Sequence, residues 1–187
     1  MTGETQIIGI TGPFGSGKST AASFFESKGF IKITLSSFLE EALLKSGKEI
    51  TRFNLQDLGN LWRQKEGSGV LARKALEHIS NNKIEKAVID GIRNLGEVEE
   101  LKRTDSFTLL GVVADRKIRF ERVKHMNNRE VLTQELFDRL DYRDLGITGD
   151  EEAGLQVAKC LAISDYFINS NDENGYKERL GEFLNKI

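Results

Sequence analysis

Cysteine, proline and long apolar runs are nearly absent from this sequence of 187 residues. Cys160 is the one cysteine, so no disulfide can form within the chain. The start, Met1-Thr2-Gly3-Glu4, has no apolar signal region, and no stretch approaches the roughly 18 consecutive apolar residues of a membrane span. We therefore expect a protein of the reducing cytoplasm that does not contact a membrane.

An excess of charge of either sign is also missing. Lysine and arginine total 27 against 29 acidic residues, for a formal net charge of -2, which argues against an extended nucleic-acid surface. The two histidines, His78 and His125, lack the spacing of metal ligands and are interpreted as ordinary helix residues. Because Pro13 is the one proline and no linker-like tract occurs, the sequence predicts a single domain over residues 1–187.

The most informative segment is Gly12-Pro13-Phe14-Gly15-Ser16-Gly17-Lys18-Ser19-Thr20, which matches the pattern G-x-x-x-x-G-K-S/T. An apolar run precedes it and a helical pattern follows it, as a phosphate-binding loop requires. Glycines with positive φ let backbone N–H groups point at a phosphate, and the helix N-terminus adds partial positive charge. The probability that a glycine-rich turn in a chain of this length matches the pattern by chance is roughly 1% or less. The predicted nucleotide contacts are Gly12, Phe14, Gly15, Ser16, Gly17, Lys18, Ser19 and Thr20.

Five short apolar runs alternate with helical patterns along the chain. This alternation is typical of a parallel sheet covered by helices on both faces, and so predicts a three-layer α/β fold. Two segments, 36–79 and 116–158, are longer than one crossover requires, and the first contains about three helical patterns. The five runs are Ile7–Ile10, Ile31–Leu35, Ala87–Ile89, Phe107–Ala114 and Tyr166–Ile168.

Charged residues follow the third apolar run. Asp90 comes directly after that run, at the carboxyl end of the predicted strand, where ligands bind in open α/β sheets. It is predicted to bind Mg²⁺ together with the hydroxyl of Ser19. The alternative is that Asp90 caps the next helix. Arg93 lies three residues later and would direct its guanidinium into the same cleft.

Arginines recur after the fourth run. Arg119 and Arg122 are three residues apart, so a helix would place them on one side, where both can converge on a transferred phosphate. The alternative is a solvated helix face. Arg63, in an amphipathic segment over 54–67, is a candidate for the acceptor phosphate or base. Further arginines of this region are Arg116, Arg129, Arg139 and Arg143.

Together these motifs resemble the P-loop nucleotide kinases of the adenylate kinase and dephospho-CoA kinase type. Within that group the sequence is most similar to archaeal adenylate kinase-related proteins and to the kinase-like N-terminal domain of some deoxycytidylate deaminases. The resemblance implies strand order 2-3-1-4-5, ATP as donor of its γ-phosphoryl group, an acceptor-binding region at 36–79 and a lid at 116–158. The matching segments are Gly12–Thr20, Leu58–Arg63, Val88–Asn94, Glu97–Glu99 and Ala162–Asn169.

The acceptor side departs from this resemblance at two positions. Relatives of this type commonly carry Asp after the second strand and Arg about three residues later, whereas this sequence has Ser37 and Glu40. Ser37-Phe38-Leu39-Glu40 also satisfies the capping-box pattern, so one interpretation is that a helix begins there. A sugar hydroxyl benefits from a carboxylate that accepts its proton, whereas a monophosphate already presents an anionic oxygen. The missing Asp therefore favours a monophosphate acceptor, although Asp90 can still serve a hydroxyl.

The leading hypothesis is an ATP- and Mg²⁺-dependent phosphotransferase acting on a nucleoside or deoxynucleoside monophosphate. Two alternatives stay open: a dephospho-CoA kinase, and a sensor module that binds ATP with weak or no kinase activity. The sequence assigns no oligomeric state. The predicted catalytic residues are Lys18, Asp90, Arg119 and Arg122, and the predicted substrate contacts are Ser37, Arg63 and Arg93.

Overall fold

Five strands form one sheet in the computed structural model, which describes residues 5–124, 132–147 and 153–187. Their bounds are β1 (Gln6–Thr11), β2 (Ile31–Thr34), β3 (Lys86–Ile92), β4 (Phe107–Val113) and β5 (Tyr166–Asn169). The spatial order is β2-β3-β1-β4-β5, and each neighbouring pair is parallel. The predicted α/β fold and the implied strand order are both confirmed.

Helices cover both faces of this sheet and form two apolar cores. Within the described residues the helices are α1 (Lys18–Glu26), α2 (Leu35–Lys45), α3 (Arg52–Glu66), α4 (Val70–Asn81), α5 (Leu95–Leu101), α6 (Arg116–Lys124), α7 (Gln134–Leu145), α8 (Val157–Ala162) and α9 (Glu173–Leu184). Alternate strand residues point to opposite faces, so Ile7 packs with α2, α4 and α5, whereas Ile8 packs with α1 and α9. The sheet is thus the middle of three layers.

Helix α2 begins earlier than the capping-box pattern predicts. Its N-cap is Thr34, the last residue of β2, and Leu35 is already helical. Ser37 therefore lies inside the first turn, where its hydroxyl donates to the Thr34 carbonyl at 2.7 Å. The prediction that a helix begins at Ser37 with Glu40 as its capping partner is wrong. Leu35, Leu39 and Leu43 are all buried, so packing against the sheet determines where this helix begins.

The two long insertions are helical. The segment 36–79 contains α2, α3 and α4, which confirms the prediction of about three helices there. The segment 116–158 contains α6, α7 and the first residues of α8, while His125 and Arg129 lie outside the described residues. Among the helices that the structure describes, none is long and apolar enough to cross a membrane.

Candidate active site

The loop between β1 and α1 is shaped by glycines with positive φ. Gly12 has φ of 154° and Gly15 has φ of 79°. A Cβ atom on Gly12 would lie 2.2 Å from the Val112 carbonyl oxygen, so a larger residue does not fit there. Gly17, with φ of 92°, is the N-cap of α1. The loop and the N-terminus of α1 form a surface rich in backbone donors, which suits a phosphate group.

Lys18 is the first residue of α1 and folds back over this loop. Its Nζ donates to the Gly12 carbonyl at 2.6 Å and to the Pro13 carbonyl at 2.9 Å. Burial lowers the pKa of the Lys18 ammonium to about 8, and the Asp144 carboxylate is the largest influence that opposes this shift. Within the described residues, the buried hydroxyl of Ser16 has no hydrogen-bond partner. An anionic oxygen bound in the loop could accept hydrogen bonds from both the Ser16 hydroxyl and the Lys18 ammonium.

Ser19 and Asp90 meet at the carboxyl end of the sheet. The Ser19 hydroxyl donates to Asp90 Oδ2 at 3.2 Å, and Asp90 is 5% exposed. Asn94, not Asp90, is the N-cap of α5, so the alternative of Asp90 as a helix cap is wrong. A hydroxyl and a carboxylate that converge beside a phosphate-binding loop are ligands that Mg²⁺ prefers. These residues therefore fit the metal that the fold implies.

A cavity of about 650 Å³ connects the loop with helices α2 and α3. Residues 14–20 line one end, and the exposed side chain of Thr20 is among them. Side chains from α2 and α3 line the other end. Besides Lys18 of the loop end, the basic side chains on the wall are Lys32, Arg52, Arg63, Arg93 and Arg122. The cavity therefore favours anionic ligands.

Arg63 is held by a buried carboxylate. Its Nη2 donates to Glu97 Oε1 at 2.8 Å and its Nε donates to the same oxygen at 3.1 Å. Glu97 Oε2 accepts from the backbone nitrogen of Arg93 at 2.8 Å and from that of Asn94 at 3.1 Å. Glu97 thus fixes the segment after β3 and orients Arg63 on the cavity wall.

Arg119 is buried against the back of the loop. Its Nη1 donates to the Phe14 carbonyl at 2.9 Å, and its guanidinium forms a bidentate pair with Asp141 at 2.5 and 3.0 Å. Arg119 is not among the described residues that line the cavity. In this arrangement it braces the loop against α6 and α7, whereas Arg122 lies on the cavity wall.

The residues after β5 also contact the loop. Arg122 Nη1 donates to Ser170 Oγ at 3.0 Å, and Ser170 Oγ donates to the Ser16 carbonyl at 2.7 Å. The Tyr176 hydroxyl donates to the Gly17 carbonyl at 3.0 Å. The loop is therefore supported from α6, from the end of β5 and from α9.

Helix α7 docks on helix α3. The guanidinium of Arg139 lies 4.6 Å from the centre of the Phe53 ring, and Arg143 Nη2 lies 2.5 Å from Asp57 Oδ1. These contacts join the 116–158 segment to the 36–79 segment across the site. The structure therefore shows the two insertions in contact.

Asp144 reaches the site from the same helix, α7. Its Oδ1 lies 3.4 Å from Arg93 Nε, and it is 3% exposed. Among the described residues, neither Asp144 Oδ2 nor Arg93 Nε has a hydrogen-bond partner. This ion pair balances the charges of Asp144 and Arg93, but Arg93 Nε can still donate a hydrogen bond. Arg93 is one of the predicted substrate contacts.

Comparisons with known proteins place the chain in a family. The AAA domain family matches residues 8–144. A UPF0200 protein of Sulfurisphaera tokodaii is 33% identical over 184 residues, which cover 97% of this chain and 97% of that protein. This chain belongs to the UPF0200 family and contains an AAA domain. A second UPF0200 protein, from Saccharolobus solfataricus, is 32% identical over 190 residues, or 97% of this chain and 94% of that protein.

The fold of this UPF0200 chain is similar to that of solved kinases. The shikimate kinase of Bacteroides thetaiotaomicron superposes with a TM-score of 0.59 at 20% identity, covering 97% of this chain and 97% of that one. At that identity the likeness concerns the fold alone. The UPF0200 chain therefore has a P-loop kinase-like fold.

Three of the predicted site residues of this UPF0200 chain are not among the described residues that line the cavity: Gly12, Ser37 and Arg119. Ser37 is exposed and lies outside the set of described residues that line the cavity, whereas its neighbours Ser36 and Glu40 line it. The Ser36 hydroxyl donates to Glu40 Oε1 at 3.2 Å. The helix begins two residues before Ser37, which turns Ser36 rather than Ser37 toward the cavity.

Four residues of the UPF0200 site were not singled out as site residues from the sequence. Glu97 had a detectable signal, because Asn94 and Glu97 have the three-residue spacing of a capping box. Asp141 and Asp144 of α7 have no comparable local signal, since their partners come from other segments. The fourth is Gln56, a buried amide on α3 that lines the cavity.

Proposed function

We propose that this protein is an ATP- and Mg²⁺-dependent phosphotransferase acting on a nucleoside or deoxynucleoside monophosphate. The observation that carries the proposal is the continuous cavity, which has a phosphate-binding loop at one end and basic side chains around an acceptor-sized space at the other. A triphosphate and an anionic acceptor can meet there. The fold class, that of P-loop kinases, supports the same chemistry.

The donor end would hold the phosphates of ATP. The loop amides would bind the β-phosphate, and Lys18 would exchange its loop carbonyls for the β- and γ-phosphate oxygens. Ser19 and Asp90 would hold Mg²⁺, whose charge offsets that of the phosphates. During transfer the bond from the γ-phosphorus to the β–γ bridging oxygen breaks, the acceptor oxygen bonds to that phosphorus, and ADP leaves.

The acceptor end suits an anionic group. Arg93 lines the cavity with Asp90, and its Nε, which lies 3.4 Å from Asp144 Oδ1, makes no hydrogen bond within the described residues. Arg93 is therefore the leading candidate to bind an acceptor phosphate. Arg63 lines the same wall, but Glu97 already accepts from its Nε and Nη2. We therefore assign Arg63 to shaping the wall and assign the phosphate contact to Arg93. Arg122 would reach the transferred group from the lid side.

A hydroxyl acceptor is the second candidate, because Glu40 lines the cavity. Its carboxylate can accept a proton from a sugar hydroxyl, which is the role that the absent Asp has in relatives that phosphorylate hydroxyls. Dephospho-CoA and shikimate are the acceptors to compare. An ATP-binding sensor is the outcome expected if no acceptor is phosphorylated.

The test is ADP release from ATP with Mg²⁺, measured across ribo- and deoxyribonucleoside monophosphates, dephospho-CoA and shikimate, with each product identified by mass. We expect turnover with at least one monophosphate and none after Lys18→Met. The matched control is Lys28→Met, the same change at an exposed lysine just after α1, which should keep activity. ATP binding without turnover of any monophosphate would refute the proposal.

A further inference from the structure

The acceptor end of the cavity combines apolar walls with one buried amide. Leu39 of α2, Leu55 of α3, Leu71 of α4 and Leu155 line it. Gln56 of α3 lines it as well and is 7% exposed. These leucines and the amide form an apolar part of this end, beside the charged side chains of Glu40, Arg52 and Arg63, which also line the cavity. The apolar part and the loop end therefore favour different parts of a ligand.

Gln56 carries a buried acceptor that the protein does not use. Among the described residues, no donor lies within hydrogen-bond reach of its Oε1. Leaving a buried carbonyl oxygen unpaired costs free energy, and native structures contain few such atoms. The nearby Asn60 amide, in the orientation that satisfies both of its ends, donates instead to the backbone carbonyls of Gln56 and Ala153 at 3.2 Å. A donor from a ligand would remove the cost at Oε1.

The surroundings of Gln56 match a nucleobase. A base has flat faces that pack against leucines and a polar edge that needs hydrogen bonds, and glutamine can pair with adenine through both ends of its amide. Because Oε1 is buried, a group that projects beyond the ring reaches it best. The exocyclic amines of adenine, cytosine and guanine project in this way and donate.

We propose that the leucine-walled end of the cavity is the base-binding subsite of the acceptor, where Gln56 Oε1 accepts a hydrogen bond from an exocyclic amine. The substrate class is then monophosphates of bases that carry an exocyclic amine, which are adenine, cytosine and guanine, rather than uracil or thymine monophosphates. This inference rests on the proposed function, since it assumes a nucleotide acceptor. The glutamine is a specificity residue, and the phosphate contacts lie elsewhere in the cavity.

The test compares acceptors that differ only in the amine. AMP is paired with purine riboside 5′-monophosphate, and CMP with 2-pyrimidinone riboside 5′-monophosphate, each as kcat/KM with saturating ATP. We expect the wild type to favour the amine by about 10- to 100-fold. Gln56→Met keeps the side-chain length but removes the amide, so its ratio should fall close to one. Gln64→Met, at an exposed position on the same helix, should keep the wild-type ratio.

Binding measurements separate this inference from the proposed function. If no monophosphate is phosphorylated, calorimetry with AMP and purine riboside 5′-monophosphate still measures whether Gln56 distinguishes them. An unchanged ratio in Gln56→Met, or a wild-type preference for UMP or dTMP, would overturn the inference. The melting temperature is a further readout: Gln56→Met should melt at or above the wild-type temperature, whereas a purely structural glutamine would lower it on replacement.

Discussion

Replacing Glu97 by glutamine should strongly destabilise the fold. The Glu97 side chain is 0% exposed and that of Arg63 is 4% exposed, with 2.8 Å between Glu97 Oε1 and Arg63 Nη2. Glu97→Gln keeps the shape but leaves the guanidinium without a counter-charge. It also turns an amide NH₂ toward either Arg63 or the backbone nitrogens of Arg93 and Asn94, all of which are donors.

Breaking a buried ion pair from one side costs about 3–5 kcal/mol, a large part of the roughly 5–15 kcal/mol that stabilises a typical domain. For a chain of this size each kcal/mol shifts the melting temperature by about 2–4 °C, so we expect a fall of roughly 6–20 °C. Urea unfolding followed by circular dichroism would measure the free energy, and thermal melts would measure the shift.

The matched control is Glu100→Gln on the same helix. Glu100 pairs with Arg73 and Arg103, whose side chains are 38% and 73% exposed, so its loss should cost no more than about 1 kcal/mol. The double variant Glu97→Gln with Arg63→Met should recover much of the loss, since no unpaired charge remains. A cost for Glu97→Gln equal to that of Glu100→Gln would refute the reasoning.

Three further predictions concern the loop and its supports. Lys18→Met should abolish phosphotransfer. Burial lowers the pKa of Lys18 from 10.5 to about 8, so between these pH values the unfolded chain binds a proton that the folded chain does not. The free energy of unfolding of the wild type, measured in urea melts, should therefore rise relative to that of Lys18→Met as the pH rises from about 8 to 10.5. Asp90→Asn should raise the Mg²⁺ concentration for half-maximal activity at least about tenfold, measured by metal titration, and an unchanged midpoint would contradict its role as a ligand. Asp141→Asn leaves Arg119 buried without its partner and should cost about 3 kcal/mol in urea melts, whereas Asp138→Asn, on an exposed face of the same helix, should cost less than about 1 kcal/mol.

The donor half of the site could be predicted because its signals are local. The Gly12–Thr20 pattern lies within nine consecutive positions, and Asp90 follows directly from a buried run, so a short window contains the information. The structure then brings Lys18, Ser19 and Asp90 together as the pattern predicts. Their contacts with ATP and Mg²⁺ stay predictions.

The acceptor half could not be predicted in the same way. The capping-box pattern at Ser37 was outweighed by burial of the leucines of α2, which begins directly after β2 without an intervening loop. Gln56 has an unremarkable sequence context, and its unpaired oxygen becomes visible only once the surrounding helices are placed. Asp144 meets Arg93 through the docking of α7, which no local window contains.

The supports of the loop have a consequence for how the chain is made. Ser170 and Tyr176 bind the carbonyls of Ser16 and Gly17, which lie 154 and 159 positions earlier in the chain. During synthesis, which runs from the N-terminus, the loop emerges first and must wait for nearly all of the protein before these bonds can form. A nascent chain that ends before β5 would have a loop without these two bonds, so competence for nucleotide binding should arise late in translation. Nucleotide added to stalled nascent chains of increasing length would show when it arises.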